Sequence, residues 1–259
     1  MFIKMKKVIF ISIDGMRPDG LKLCGNPYVS TLEKKCAYTY DASSLIPSIT
    51  FPCHYGMIRS SSPEKLGVTG AGYSQPKQNV KGIFEKVLES GGTPAMLYGW
   101  RPLLDIAGPA YRYAIFIDLR TGESIDTRLT DEALHLVETD KPDFVFLYLV
   151  DTDEKGGHAC GWMTDEYLRR ISIAIDNVKR IFEAFEDEYS IVIMSDHGGH
   201  GRGHGTTMPE DMNIPLFFYG SDFKPGEIAD KLSLLDIVPT IAKVMGIAPE
   251  EDWEGHSII

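Results

Sequence analysis

Four side chains that are able to bind a metal ion lie within nine residues of one another in the segment VIMSDHGGHGRGH, residues 192–204. They are Asp196, His197, His200 and His204, and they follow an apolar run typical of a buried strand. Carboxylates and imidazoles are ligands of zinc and similar divalent ions. The intervening glycines let the backbone turn sharply around an ion. The alternative is a surface loop whose polar side chains are solvated.

Two further apolar runs also end in acidic residues. Asp14 follows VIFISI, and both Asp151 and Asp153 follow FVFLYLV. A single aspartate at a strand end often caps the next helix, but three strand ends that carry acid indicate convergence at the edge of a sheet where ligands bind. Clustered carboxylates repel one another unless a cation is present. The candidate metal ligands are Asp14, Asp153, His158, Asp196, His197 and His204.

The elements that must position these residues alternate along the chain. Continuous apolar runs at 8–13, 95–98, 144–150, 191–194 and 216–219 predict strands that are buried on both faces. Helical patterns begin near Val80, Thr130 and Thr164, and the two threonines precede acidic residues as helix N-caps do. This alternation predicts an α/β fold, with a mostly parallel central sheet and helices on both faces. We expect a single domain over residues 1–259.

Composition excludes several classes of partner. A net charge of −11 argues against binding to a nucleic-acid polymer, and no apolar stretch is long enough to span a membrane. The lysines near the N-terminus precede only six apolar residues, so this run is interpreted as a strand and not as a signal peptide. The four cysteines are scattered without CxxC pairs. We therefore expect a cytoplasmic protein, while nothing in the sequence indicates its oligomeric state.

Five segments, in order, resemble one protein family: VIFISIDGMRPD, ITFPCHYG, YLVDTDEKGGHACGW, SDHGGHGRGHG and LLDIVPTIAKVMGI. They are similar to the type I phosphodiesterase/nucleotide pyrophosphatase family of the alkaline phosphatase superfamily. The resemblance extends from residue 8 to about residue 258. It implies an alkaline-phosphatase-like three-layer sandwich, in which residues 73–117 are the candidate for a partial lid.

The resemblance also implies a division of the ligands between two zinc ions. Asp153, His158 and His204 would hold one ion. Asp14, Asp196 and His197 would hold the other, with Thr50 beside it as both a ligand and the nucleophile. Judged from the residues alone, Thr50 is equally compatible with a role as the N-cap of the helix that Phe51 and Pro52 open.

Two departures from the family pattern affect the expected chemistry. Relatives separate their Asp and His ligands by three residues, whereas EKGG places four between Asp153 and His158. Either the backbone bulges there or Asp151 takes part, and Asp153 is the preferred ligand. Ala71 occupies the position of a family asparagine that binds the phosphoryl oxygen. The backbone N–H of Phe51 is then the remaining donor.

The predicted function is a two-metal, zinc-dependent phosphohydrolase that cleaves phosphodiester or pyrophosphate bonds of a small substrate through a phospho-threonine intermediate. The alternatives are a phosphomonoesterase or phosphonate hydrolase of the same superfamily, and a catalytically weak metal-binding protein marked by Ala71. His200 is a candidate for a phosphate-facing residue. Tyr73, Trp100 and Trp162 are candidates for stacking on a substrate, although aromatic side chains more often belong to the core. Candidate contacts of an anionic substrate are Arg17, Arg59, Lys65, Lys155 and Arg202.

Overall fold

An eight-stranded sheet runs through the protein, whose computed structural model describes residues 5–72, 74–122 and 124–259. The strand order is β4-β3-β5-β1-β6-β7-β2-β8. In chain order, the strands are β1 Lys7–Ile13, β2 Ala37–Ser43, β3 Pro94–Tyr98, β4 Tyr113–Phe116, β5 Phe144–Leu149, β6 Tyr189–Met194, β7 Asn213–Tyr219 and β8 Gly226–Glu227.

The sheet is mostly parallel, as predicted. Strands β4, β3, β5, β1 and β6 run in the same direction, and β7 is antiparallel to both β6 and β2. Strand β1 lies between β5 and β6, and its residues from Val8 to Ile13 are buried. Burial on both faces explains why this strand is continuously apolar instead of alternating. The carboxyl ends of β1, β5 and β6 therefore meet at one edge.

Helices pack in two groups around the sheet. Helices α1, α2 and α6 contact α7, whereas α3 contacts α9. Among the described residues, no helix combines the length and apolarity needed to cross a membrane. The helices are α1 Pro18–Leu23, α2 Tyr28–Lys35, α3 Thr50–Ile58, α4 Pro63–Leu66, α5 Ile83–Glu89, α6 Ile125–Asp140, α7 Asp165–Phe185, α8 Pro209–Met212 and α9 Ile237–Met245.

Part of residues 73–117, the candidate for a partial lid, belongs to the central fold, and the lid itself stays a prediction. Strands β3 and β4 belong to the central sheet, and α5 packs its Phe84 ring against Phe144 and Phe146. These parts of the segment are core elements, because their apolar side chains cover the sheet. Tyr73, a candidate for substrate stacking, lies outside the described residues.

Candidate metal centre

The ends of three adjacent strands bring three carboxylates together. Asp14 follows β1, Asp153 lies beyond the end of β5, and Asp196 follows β6. All three side chains are buried, and each has one oxygen without a hydrogen-bond donor: Asp14 Oδ1, Asp153 Oδ1 and Asp196 Oδ2. Buried polar atoms are almost always paired in proteins. Three unpaired carboxylate oxygens in one place therefore indicate a site for a cation.

Three histidines direct unprotonated nitrogens into the same cluster. In His197, His204 and His158, the Nδ1 atoms lie 2.8, 2.8 and 3.0 Å from the backbone carbonyl oxygens of Gly198, Ser48 and Arg202, respectively. A carbonyl oxygen can only accept, so Nδ1 carries the proton and Nε2 keeps a lone pair in each neutral ring. This is the tautomer that binds a metal through Nε2.

The distance between two of these nitrogens supports a shared ion. His158 Nε2 lies 3.2 Å from His204 Nε2. Two lone pairs cannot form a hydrogen bond with each other, so the contact is unfavourable without a cation. Two nitrogens bound tetrahedrally to one zinc ion at its usual bond length would be roughly 3.3 Å apart. The observed spacing fits this arrangement.

The carboxylates and imidazoles form one continuous cluster. His197 Nε2 lies 3.3 Å from both Asp14 Oδ1 and Asp196 Oδ2. Asp153 lies 3.4 Å from His158 Nε2 through Oδ2, and 3.9 Å from His204 Nε2 through Oδ1. The His197 ring stacks on the His204 ring, with their centroids 3.9 Å apart. All six predicted ligands thus converge, and their division between two ions stays a prediction.

Burial disfavours both negatively charged carboxylates and positively charged imidazoles in this cluster. It raises the pKa of Asp14 and of Asp153 well above the ordinary carboxyl value, and that of Asp196 to about 8. The pKa of His204 falls to about 3, chiefly because the ring is buried and secondly because it faces His197. A divalent cation suits both groups, since it stabilises ionised carboxylates and binds neutral imidazoles. The donor set of oxygen and nitrogen therefore fits zinc.

A π-helical turn accommodates the extra residue between Asp153 and His158. The turn spans Thr152–His158. A π-helix forms i→i+5 hydrogen bonds, so residues five apart face the same side, as residues four apart do in an α-helix. Asp151 instead lies 2.8 Å from Lys155 Nζ and 3.8 Å from Arg170 Nη1. The structure therefore places Asp153, and not Asp151, in the cluster.

Thr50 is the first residue of α3 and lies against the cluster. Its Oγ1 is 3.0 Å from His197 Nε2, to which the hydroxyl donates because Nε2 is unprotonated. The N-cap position belongs to Ile49, so the capping alternative for Thr50 does not hold. The first helical hydrogen bond runs from the N–H of Cys53 to the carbonyl of Ile49, 3.0 Å away. The N–H groups of Thr50 and Phe51 therefore precede the helical hydrogen bonds at this terminus.

His54 has a structural role. Its Nδ1 donates to the carbonyl of Thr50 at 2.8 Å and lies 3.3 Å from Asp196 Oδ2. Its Nε2 accepts from the hydroxyl of Ser12 at 2.8 Å. Burial lowers the pKa of His54 to about 3, so the ring stays neutral. It fixes the first turn of α3 to the end of β1 and to one predicted ligand.

Two residues support the site: Tyr148, which was not identified from the sequence, and Trp162, which was predicted only as a stacking candidate. Tyr148 in β5 donates its hydroxyl to Asp14 Oδ2. Trp162 is 6% exposed, and its Nε1 donates to the carbonyl of Gly15 at 3.0 Å. Its ring meets the edges of His158 and His204, with centroids 5.3 and 5.9 Å away. Trp162 is thus a wall of the site and not a stacking surface. Only the strand pairing, which places Tyr148 opposite Ser12, could have indicated Tyr148.

Two other predicted residues lie outside this cluster. His200 Nδ1 is 2.7 Å from Asp211 Oδ1, a carboxylate that is not one of the predicted ligands. Its contact with phosphate stays a prediction. Ala71 is exposed in the loop after α4. Its methyl group offers no hydrogen-bond donor, so the structure provides no side-chain amide at that position.

Comparison with known proteins agrees with this fold and site. The type I phosphodiesterase / nucleotide pyrophosphatase family profile matches residues 8–201. Ectonucleotide pyrophosphatase/phosphodiesterase family member 1 of Rattus norvegicus is 23% identical over 224 residues, which cover 73% of this chain and 24% of the relative. The chain thus spans about a quarter of the length of that curated relative.

Two solved structures show the same fold at low sequence identity. Murine ectonucleotide pyrophosphatase / phosphodiesterase 5 superposes with a TM-score of 0.79 and 12% identity, over 95% of this chain and 96% of that one. The phosphonate monoester hydrolase of Silicibacter pomeroyi superposes with a TM-score of 0.76 and 14% identity, over 98% and 76% of the two chains.

The sheet and the helices around it form an alkaline-phosphatase-like fold, and the carboxylate–imidazole cluster lies at the carboxyl ends of its strands. Because the family profile matches most of the sequence, the chain belongs to the type I phosphodiesterase / nucleotide pyrophosphatase family. The predicted family and fold class are both confirmed.

Proposed function

We propose that this protein is a two-zinc phosphohydrolase that cleaves phosphodiester or pyrophosphate bonds through a phospho-threonine intermediate. The observation that carries this proposal is the hydroxyl of Thr50, 3.0 Å from the unprotonated Nε2 of His197 in a cluster of buried carboxylates. A threonine hydroxyl is a poor nucleophile unless it is activated. Thr50 lies where such activation is available.

The proposed ligand sets follow the family resemblance. Asp14, Asp196, His197 and Thr50 would hold one ion, whereas Asp153, His158 and His204 would hold the other. When bound, zinc lowers the pKa of a coordinated hydroxyl or water and stabilises negative charge that develops on oxygen.

The position of Thr50 determines the side from which phosphorus is attacked in the proposed reaction. The Thr50 hydroxyl loses its proton to solvent, Oγ1 attacks phosphorus to form a Thr50 O–P bond, and the P–O bond to the leaving group breaks on the opposite side. The leaving group therefore departs toward His158 and His204. The N–H groups of Thr50 and Phe51 at the start of α3 face the phosphoryl oxygens, which a helix N-terminus attracts. Water then attacks phosphorus, the Thr50 O–P bond breaks, and the hydroxyl of Thr50 is restored.

Charge in the cluster favours a diester over a monoester. While the Thr50 hydroxyl is protonated, the other six ligand side chains carry three carboxylates and three neutral imidazoles, so two divalent cations leave one net positive charge. A phosphodiester carries one negative charge and matches it. A monoester carries nearly two at neutral pH, and the second would have no fixed counter-charge among these ligands.

The proposal is tested with zinc-loaded protein on bis-p-nitrophenyl phosphate and p-nitrophenyl phosphate. We expect faster cleavage of the diester, loss of turnover in Thr50→Ala, and partial retention in Thr50→Ser because the serine keeps a hydroxyl. A preference for the monoester would favour the phosphatase alternative. Bound zinc without hydrolysis of either ester would contradict the proposal and favour a catalytically weak metal-binding protein.

A further inference from the structure

Four of the five basic residues near the site have fixed partners within the protein. They are Arg17, Arg59, Lys65 and Lys155. Arg17 pairs with a carboxylate at 2.6 Å, and Lys155 with another at 2.8 Å. Arg59 and Lys65 donate to backbone carbonyls at 2.8 and 2.7 Å. The respective partners are Asp19, Asp151, Ile106 and Asp252. None of these four cations is available to a substrate without breaking a contact.

Arg202 differs from these four because its side chain is exposed and makes no ion pair or hydrogen bond with the described part of the chain. Its backbone, by contrast, is fixed. The carbonyl of Arg202 accepts from His158 Nδ1 at 3.0 Å, and the preceding carbonyl of Gly201 accepts from the N–H of Trp162 at 2.9 Å. The turn is closed by two hydrogen bonds between His200 and Gly203, at 2.9 and 3.0 Å. A rigid turn thus presents an unpaired guanidinium.

This turn holds the backbone of Arg202 close to the predicted ligand His158. The ring of His158 directs Nε2 toward His204 and Nδ1 toward the carbonyl of Arg202. The backbone of Arg202 therefore lies next to His158, one of the two histidines toward which the leaving group departs in the proposed reaction. The extra charge of a phosphomonoester would be on the scissile phosphate itself, between the ligand groups. A guanidinium beyond His158 is better placed for a group attached to that phosphate.

We infer that Arg202 binds a negatively charged leaving group, such as a phosphate or pyrophosphate joined to the scissile phosphorus through oxygen. A guanidinium forms bidentate, charge-assisted hydrogen bonds with such groups. Arg202 is therefore a specificity-determining residue, which selects phosphoanhydrides over esters of neutral alcohols. This inference rests on the proposed function, because it requires the same nucleophile and the same direction of attack.

The test compares two substrates that differ only in the leaving group, which is highly charged in one and aromatic in the other. Thymidine triphosphate and p-nitrophenyl thymidine 5′-phosphate share the thymidylyl group, but one releases pyrophosphate and the other p-nitrophenolate. We expect Arg202→Ala to raise the KM for the triphosphate about tenfold or more, and to change the KM for the p-nitrophenyl ester less than twofold. Arg202→Lys should restore part of the difference. Arg112→Ala, which removes an exposed arginine near β4, is the charge-matched control.

The outcomes separate this inference from the proposed function. A larger loss on the triphosphate than on the p-nitrophenyl ester, with an unchanged zinc content, supports it. Equal losses on both substrates would show a merely structural role of the turn and would overturn it. Cleavage of the p-nitrophenyl ester alone by the unmodified protein would also overturn it, while the proposed function would stand. If neither substrate is cleaved, the proposed function itself fails.

Discussion

The ring nitrogen that carries the proton in each of three histidines determines what the candidate site can bind. Backbone carbonyls hold the Nδ1–H groups of His158, His197 and His204, and this leaves the three Nε2 lone pairs directed at carboxylates. Backbone atoms cannot change their role as acceptors, so the tautomers are fixed before any metal arrives. The centre is therefore pre-organised for a cation by atoms that no side-chain pattern would reveal.

A second single-residue effect concerns Ala71, which stands where relatives carry an asparagine. We predict that Ala71→Asn raises kcat on bis-p-nitrophenyl phosphate by about tenfold or more, because one donor to a phosphoryl oxygen contributes two to three orders of magnitude in favourable cases. Ala71→Asp, of the same size but without an amide donor, is the matched control and should not raise kcat. An unchanged kcat in Ala71→Asn would show that this loop does not reach the phosphate.

The sequence was sufficient to predict which side chains converge at the sheet edge, but not the residues that orient them. Asp14, Asp153 and Asp196 could be predicted because each follows an apolar run that ends at the same edge of a parallel sheet. The hydroxyl of Tyr148 and the indole of Trp162 act through contacts across 134 and 147 residues of chain. Such pairings depend on strand register and packing, which short motifs do not encode.

At the scale of elements, the π-helical turn depends on glycine. A Cβ atom on Gly157 would lie 2.5 Å from the Trp162 ring, which itself contacts His158 and His204. We predict that Gly157→Ala displaces the ring and weakens zinc binding about tenfold or more, as loss of orienting contacts around metal ligands does. The measurement is a competition titration with a chromogenic zinc chelator.

The matched control for that substitution is Gly203→Ala. A Cβ on Gly203 would meet nothing within 4 Å, although this residue is also close to His204 in sequence. We expect its zinc affinity to stay within about twofold of the unmodified protein. Equal affinities in Gly157→Ala and the unmodified protein would contradict the role assigned to the turn.

The contact between the start of α6 and the end of β5 makes stability depend on pH. Asp126 Oδ1 accepts from the N–H groups of Val150 and Asp151 at 2.7 and 3.1 Å, while its buried Oδ2 has no partner. Burial, and secondly the charge of Asp151, raise the pKa of Asp126 above its ordinary value. The folded state therefore retains a proton that the unfolded state loses above about pH 4. The resulting stabilisation is lost as the pH rises through the raised pKa.

We predict that Asp126→Asn flattens this dependence, because the amide keeps an acceptor oxygen but does not ionise. Urea unfolding of metal-free protein between about pH 5 and pH 8 should show a smaller decrease in the free energy of unfolding than in the unmodified protein. Asp131→Asn, an exposed substitution in the same helix, is the control. Identical slopes in Asp126→Asn and the unmodified protein would contradict the assignment.

Helix and strand boundaries were predictable where one physical signal dominated. Thr164 caps α7 as predicted, and its hydroxyl accepts from the N–H of Tyr167. The same prediction for Thr130 was wrong, because α6 begins at Ile125 and the hydroxyl of Thr130 bonds within the helix to the carbonyl of Asp126. Strand β2 was missed because its partly exposed positions make AYTYDAS alternate, unlike the continuous apolar runs that were used to find strands.

For the whole molecule, metal binding should be coupled to stability. The three buried carboxylates add repulsion to a chain with a net charge of −11, and two zinc ions would offset it. At a zinc concentration about one hundred times its dissociation constant, we predict a stabilisation of about 2.7 kcal/mol for one site, visible as a higher Tm. His158→Ala should reduce this gain, whereas His135→Ala, an exposed histidine in α6, should not. A Tm that does not respond to zinc would contradict the metal centre.

The architecture of the whole molecule was easier to predict than the segments that lie at its surface. Continuous apolar strands alternating with helices indicated the α/β class, which the sheet order confirms. The candidate lid over residues 73–117 stays a prediction, although β3 and β4 of this segment join the central sheet. The cytoplasmic location expected from the cysteines and the N-terminal run stays a prediction.

The most direct test of the central claim is to quench turnover of bis-p-nitrophenyl phosphate with acid and to map the phosphorylated residue by mass spectrometry. The structure predicts one phosphoryl-containing adduct on Thr50, the hydroxyl that lies against His197, and none in Thr50→Ala. Undiminished turnover in Thr50→Ala, or an adduct on another residue, would contradict the role of Thr50 as nucleophile.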